Sequence, residues 1–184
     1  MTIDGFAGGP NGGNDWVFIS GKGDQEPLQQ MIGFGVDIAA SCDTFLPGRK
    51  LAASGFCTYW ENVADNQPGN PWHPLARLIA DHRKIAFSRS ETNVPGRNLE
   101  VENGDLATAI QALKEQQGKD ILVYGGTDFV SSLISLNLTD EYHLIVNPVA
   151  IGAGLSIFKK QKILKLESSV AFRSGKVLNK YLPV

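Results

Sequence analysis

The sequence predicts an α/β fold built on a mixed, largely parallel sheet with an antiparallel C-terminal edge. Three observations predict it. Between residues 27 and 138, stretches with apolar residues at helical spacing alternate with short apolar runs, the order expected of strands joined by crossover helices. The run Ile121, Leu122, Val123, Tyr124 is continuously apolar, as in a parallel strand buried on both faces. Beyond residue 141 the helical spacing stops, and three strand-like stretches follow, joined by turns.

The elements follow in order. Residues 1–14, MTIDGFAGGPNGGN, are Gly-rich and read as a loop. Residues 27–40 read as a helix, with Pro27 in the first turn and Leu28, Met31, Ile32, Phe34, Val36, Ile38 and Ala39 along it, although Gly33 and Gly35 weaken its propensity. Residues 44–46 form a short strand ended by Pro47-Gly48, and 49–59 continue as one helix. Residues 62–74 lack periodicity and read as a loop, followed by a short helix at 75–81 and a strand at 83–88. A turn at 92–96 and a brief strand at 99–101 precede a helix over 105–117, on which Leu106, Ala109, Ile110 and Leu113 share a face. The strand at 121–124 ends in Gly125-Gly126, and a helix covers 129–138. Strands are expected at 141–149, 164–173 and 177–182.

The chain has 184 residues, which suits one domain spanning 1–184, and a hydrophobic share of 42% is enough for a sizeable core. A net charge of -2 without a basic run argues against nucleic acid as the main partner, because a duplex demands concentrated positive charge. No apolar run reaches the length of a membrane span, and no leader segment is visible, so a cytoplasmic protein with a small-molecule ligand is expected. Cys42 and Cys57 have no metal-type spacing, His73, His82 and His143 are scattered, and the chain carries neither GxSxG nor a zinc deaminase pattern.

What chemistry the sequence does advertise lies at three strand ends. Gly125-Gly126 joins a strand to a helix; bare glycines let phosphate oxygens approach the backbone, and the next helix offers unpaired N–H groups, with Thr127 and Asp128 placed to cap it. Gly48, Arg49 and Lys50 form a second strand-to-helix junction with two cations. Ser88, Arg89 and Ser90 form a third strand end, a cation between hydroxyls. Each alone is compatible with a plain turn. Together they suggest a ligand carrying several phosphates, such as a phosphorylated dinucleotide. Asp4 and Asp15 flank the Gly-rich loop, where turn formation is the ordinary role and contact with substrate the alternative.

The segments MTIDGFAGG, DTFLPGRK, KIAFSRS and GKDILVYGGTDFVSSLISLNLTDEYHLIVNPVAIGAGLSIF occur in the order found in the dihydrofolate reductase-like superfamily. More closely, the chain resembles the branch containing the riboflavin-biosynthesis reductase domain. That resemblance implies a three-layer α/β/α fold with a mixed, mostly parallel sheet of about eight strands, and NADPH across the strand ends. It puts Gly125 and Gly126 beside the pyrophosphate with a cis bond between them, and Thr127 and Asp128 at the opening of the facing helix. It puts Gly48, Arg49 and Lys50 near the 2'-phosphate, and Ser88, Arg89 and Ser90 near the adenine ribose. Asp4, within the TIDGF segment, and Phe34 are the implied substrate-side residues. A strand that family members carry before TIDGF is missing from this sequence. A homodimer is a further family expectation.

The resemblance implies an NADPH-dependent reductase passing a hydride to a small heterocycle, with a ribosylamino-pyrimidine of riboflavin synthesis as the family substrate. Its catalytic proton donor is not identified by the sequence. A dihydrofolate reductase proper is the first alternative, disfavoured because Met31, Ile32, Phe34 and Gly35 stand where a pterin-protonating carboxylate is expected. A non-catalytic NADPH-binding sensor on the same fold is the second.

Overall fold

The structure is a computed structural model that describes residues 1–18 and 25–184. Its fold is α/β, with a parallel sheet of four strands and a separate antiparallel sheet of three, and the chain divides into two compact units.

The unit Met31–Val130 holds the parallel sheet. Its elements are most of helix α1 (Gln25–Ser41), strand β1 (Cys42–Pro47), helices α2 (Arg49–Ala53), α3 (Phe56–Asn66) and α4 (His73–Asp81), strands β2 (Arg83–Phe87) and β3 (Leu99–Glu102), helix α5 (Leu106–Lys114), strand β4 (Asp120–Gly125) and the start of helix α6 (Thr127–Ser135). The strand order is β3-β2-β1-β4, all parallel. Ala39 of α1, Trp60 and Val63 of α3, and Leu75, Ala76 and Ile79 of α4 form a buried cluster. Gly35 serves this packing: a β-carbon there would come within 3.1 Å of Leu75 Cδ2. An aromatic series runs from Tyr124 through Phe45 and Phe56 to Trp60 and Trp72.

Three expectations change here. Strand β4 is a sheet edge, not a strand buried on both faces: Ile121, Leu122 and Val123 are half-buried and Tyr124 is 51% exposed. The helix expected over 49–59 is two helices, because Gly55 takes a left-handed φ of 83° that interrupts the ladder. Helix α3 then extends to Asn66, through residues expected to be loop; Val63, fully buried, holds that last turn on the core while its polar neighbours face solvent.

Lys84 of β2 is completely buried. Its ammonium donates to the carbonyls of Ala80 at 2.8 Å, His82 at 3.0 Å and Arg97 at 2.9 Å, which uses all three of its donors. Burial pushes its pKa down from the ordinary lysine value. His82 also donates through Nε2 to the Cys42 carbonyl, 2.8 Å away, and joins α4 to β1.

The other unit comprises Met1–Gln30 and Ser131–Val184. Strands β5 (Tyr142–Val146), β6 (Leu164–Ala171) and β7 (Val177–Pro183) pair in the order β5-β7-β6, all antiparallel. They pair with one another rather than extending the parallel sheet, because β7 folds back on β6 through a short turn at 172–176 and offers its other edge to β5. Thr2 bridges in parallel to Asn147, and Gly8 pairs antiparallel with Leu155, so the N-terminal segment lies along this unit. Lys180 of β7 spans Glu141 and Glu167, each at 2.8 Å. Among the described residues no helix is long and apolar enough to cross a membrane.

Candidate functional site

The parallel ladder brings the three marked strand ends side by side. Pro47 pairs with Gly125, and Gly48 bridges to Phe87, so the ends of β4, β1 and β2 stand in adjacent positions along one edge of the sheet. This is the carboxyl end of parallel strands, where open α/β sheets take ligands. Gly48 N–H donates to the Gly125 carbonyl at 2.7 Å. Phe87 and Phe129 stack with ring centroids 5.6 Å apart and bind the end of β2 to the first turn of α6.

The glycines divide into two kinds. A β-carbon on Gly48 would lie 2.8 Å from the Gly125 oxygen, 3.0 Å from Gly126 N and 3.1 Å from Phe129 Cβ; the strand ends close only over a bare residue. Gly125 has a φ of 143°, reserved in practice for glycine. Gly126 is different, because a β-carbon there would meet nothing within 4 Å. The protein has no packing reason for glycine at 126, and the space in front of it is open. The bond between Gly125 and Gly126 is trans: among the described residues there is no cis peptide, against the family expectation. The positive φ of Gly125 makes the turn into α6 instead.

Helix α6 starts at Thr127, two residues earlier than its apolar spacing indicates. The carbonyl of Gly126 accepts from Phe129 N at 3.0 Å and Val130 N at 3.1 Å, so the backbone turns helical at once. Its first N–H groups therefore lie at the open end of the sheet. Asp128 stands in that first turn and accepts from Lys50 Nζ at 3.2 Å, both side chains largely exposed.

The cations are unequally engaged. Arg49 reaches Glu91 at 3.6 Å, with both side chains about half-exposed. Arg89 is exposed and, among the described residues, has no ion pair or side-chain hydrogen bond. Ser88 is buried, and its hydroxyl accepts from Ser90 N at 3.2 Å and Glu91 N at 2.8 Å, which shapes the loop. Asn103 braces the same loop, donating to the carbonyls of Ser88 at 2.7 Å and Glu91 at 2.8 Å. Glu91 and Asn103 were not legible as site residues from sequence; the only signal was the position of Glu91 one residue past the SRS segment and of Asn103 one residue past the adjacent strand.

Asp4 belongs to the other unit. Its Oδ2 accepts from Gly152 N at 2.8 Å and Ile151 N at 3.0 Å, fastening the TIDGF turn to the 151–152 bend. Hydrogen bonds from the Thr2 side chain and then the Gly152 N–H lower its pKa. Phe34 lies half-buried on α1. Cys42 and Cys57 are buried, and burial pushes both thiols up, away from the nucleophilic thiolate.

The family model for the RibD C-terminal domain matches residues 1–178. The chain belongs to the RibD C-terminal domain family. Among curated proteins it is similar to YyaP of Bacillus subtilis, 31% identical over 96% of this chain and 88% of that protein. It is also similar to YwjB of the same organism, 24% identical over 86% of this chain and 78% of the other; both are described as uncharacterized. A Shewanella sp. PV-4 protein named for riboflavin biosynthesis shares the fold with a TM-score of 0.69 at 17% identity, over 100% of this chain and 95% of that one. RibD of Acinetobacter baumannii matches with a TM-score of 0.63 at 16% identity, covering 100% of this chain and 55% of the longer protein. A Thermotoga maritima protein named as a deaminase and 5-amino-6-(5-phosphoribosylamino)uracil reductase gives 0.58 at 16%, again over 100% of this chain and 54% of the other. The chain thus has the RibD-like, dihydrofolate reductase-type fold, with the ends of β4, β1 and β2 side by side at the carboxyl end of the parallel sheet.

Proposed function

We propose that this chain is an NADPH-dependent reductase that reduces a small heterocycle. The observation that carries the reading is the bare backbone of Gly126, open to solvent beside the N-terminus of α6 and next to the turn that leads into Arg49 and Lys50, with Arg89 just past the end of β2. A pyrophosphate on Gly125-Gly126 would take hydrogen bonds from the first turn of α6, with Thr127 adding a hydroxyl. A 2'-phosphate would lie toward Arg49 and Arg89, whose fixed, permanent charges suit a phosphate dianion. When bound, the nicotinamide supplies the hydride; the protein's part is to hold the dinucleotide in register and desolvate the reacting face.

The substrate class we propose is a ribosylamino-pyrimidine, the kind of compound in the name of the Thermotoga protein whose fold this chain shares. A homodimeric, cytoplasmic enzyme is part of the same proposal. The experiment is a titration of NADPH followed by its fluorescence, then NADPH oxidation with pyrimidine, pterin and flavin acceptors. Micromolar binding and oxidation with a pyrimidine are expected. If NADPH and NADH both fail to bind at high micromolar concentration, the proposal is wrong.

A further inference from the structure

Among the carboxylates at the basic strand-end corner, Glu91 is one that the reductase reading does not use. Glu91 is clamped through its backbone: its N–H donates to Ser88 Oγ at 2.8 Å and its carbonyl accepts from Asn103 Nδ2 at 2.8 Å. Ser88 is itself buried, and Asn103 holds the Ser88 carbonyl as well, so the backbone of 88–91 is braced and keeps the root of the Glu91 side chain beside Arg49. The side chain reaches Arg49, 3.6 Å away, and among the described residues it is the ion-pair partner of that arginine.

A carboxylate held here has opposite effects on two nucleotides. A 2'-phosphate seeking Arg49 must displace Glu91 from it and then lie beside a fixed like charge, which weakens binding. An unphosphorylated ribose brings a 2'-hydroxyl instead, a donor that a carboxylate accepts well, as acidic residues do in dinucleotide-binding folds. Resting on the reading of this edge as a dinucleotide site, we propose that Glu91 determines nucleotide preference: it moderates the attraction of Arg49 and Arg89 for the 2'-phosphate and admits NADH through its ribose hydroxyl. NADPH is then still the preferred dinucleotide, but by a smaller margin than the cations alone would give, and NADH is admitted as well.

The test is Glu91→Gln in the full chain, which keeps size and the backbone hydrogen bonds but removes the charge. Dissociation constants for NADPH, NADH and 2',5'-ADP are measured by calorimetry at low and high salt, for wild type and variant. Glu91→Gln should tighten NADPH and 2',5'-ADP and weaken NADH, moving the NADPH-to-NADH affinity ratio by roughly tenfold, about 1.4 kcal/mol. The shift should shrink in high salt, because it is electrostatic between half-exposed groups. In an Arg49→Ala background the tightening of 2',5'-ADP by Glu91→Gln should diminish, since the competition is for that guanidinium. If wild type binds both dinucleotides and the ratio does not move, or NADPH weakens, Glu91 does not set the preference and the dinucleotide site stands. If wild type binds neither dinucleotide nor 2',5'-ADP, both readings fall together.

Discussion

Gly48 donates its N–H to the carbonyl of Gly125 at 2.7 Å, and a β-carbon on Gly48 would stand 2.8 Å from that same oxygen. The two strand ends touch backbone to backbone, whereas Gly126, the next residue, has open space where a side chain would be. Neighbouring glycines therefore predict opposite phenotypes. Gly48→Ala must push β1 from β4 or displace Phe129, at a cost of about 2–3 kcal/mol. Gly126→Ala should leave stability within about 0.5 kcal/mol of wild type and weaken NADPH by roughly tenfold or more, since the methyl group occupies the space of a pyrophosphate oxygen. Urea unfolding and NADPH titration of both variants check this; a Gly126→Ala protein that unfolds early would make residue 126 a packing residue.

Arg89 supplies a cleaner probe of the 2'-phosphate than Arg49 or Lys50, which are already paired with Glu91 and Asp128. It is exposed and has no ion-pair partner among the described residues, so its replacement breaks no ion pair there. Arg89→Ala should weaken 2',5'-ADP by about tenfold at low salt, as loss of a charge-assisted contact to phosphate does, with NADH changed far less. Equal losses for the two dinucleotides would move the 2'-phosphate away from the SRS segment.

The strand ends were readable from sequence because their punctuation is local: Pro47-Gly48, the polar Ser88-Arg89-Ser90 after an apolar run, and Gly125-Gly126 each stop a strand by their own chemistry. What was not readable depends on partners. The run Ile121-Leu122-Val123 has the same letters whether a strand lies on one side or two, and only the order β3-β2-β1-β4 makes it an edge. Gly55 sits within a helical pattern, and its left-handed φ leaves no mark on periodicity. Asn62, Asp65 and Asn66 look like loop residues, yet burial of Val63 overrides their propensity. Glu91 drew no attention because a glutamate after a turn is ordinary; its meaning lies in an arginine 42 positions away (91 minus 49).

Asp4 illustrates how a candidate substrate contact can instead be a structural tie. With its carboxylate receiving the Gly152 and Ile151 N–H groups, Asp4→Ala should lower the hydrogen-exchange protection of those two amides, leaving the parallel sheet unaffected. The pH sense is fixed by the depressed pKa: the tie is present above the ordinary value of 3.8 and is lost as pH falls through the lower folded-state value. Unchanged protection at residues 151 and 152 in the variant would release Asp4 from this role and return it to the substrate side.

Lys84 makes the sharpest test of the core. A lone lysine between Arg83 and Ile85 reads as a surface residue, but its ammonium is enclosed and joins the end of α4 to the segment before β3 through three carbonyls. Lys84→Met keeps the stem and strands those carbonyls, so unfolding free energy should fall by about 3 kcal/mol, the cost of leaving buried acceptors unmatched. Burial holds the folded-state pKa below 10.5. Between that lowered value and 10.5 the unfolded chain binds more protons at this site than the folded one, so the contribution of Lys84 to stability rises with pH across the window. The difference between wild type and Lys84→Met, measured by urea unfolding at intervals up to pH 10.5, should therefore widen as pH rises. A difference that narrows would mean that the three carbonyls favour the ammonium more than burial opposes it.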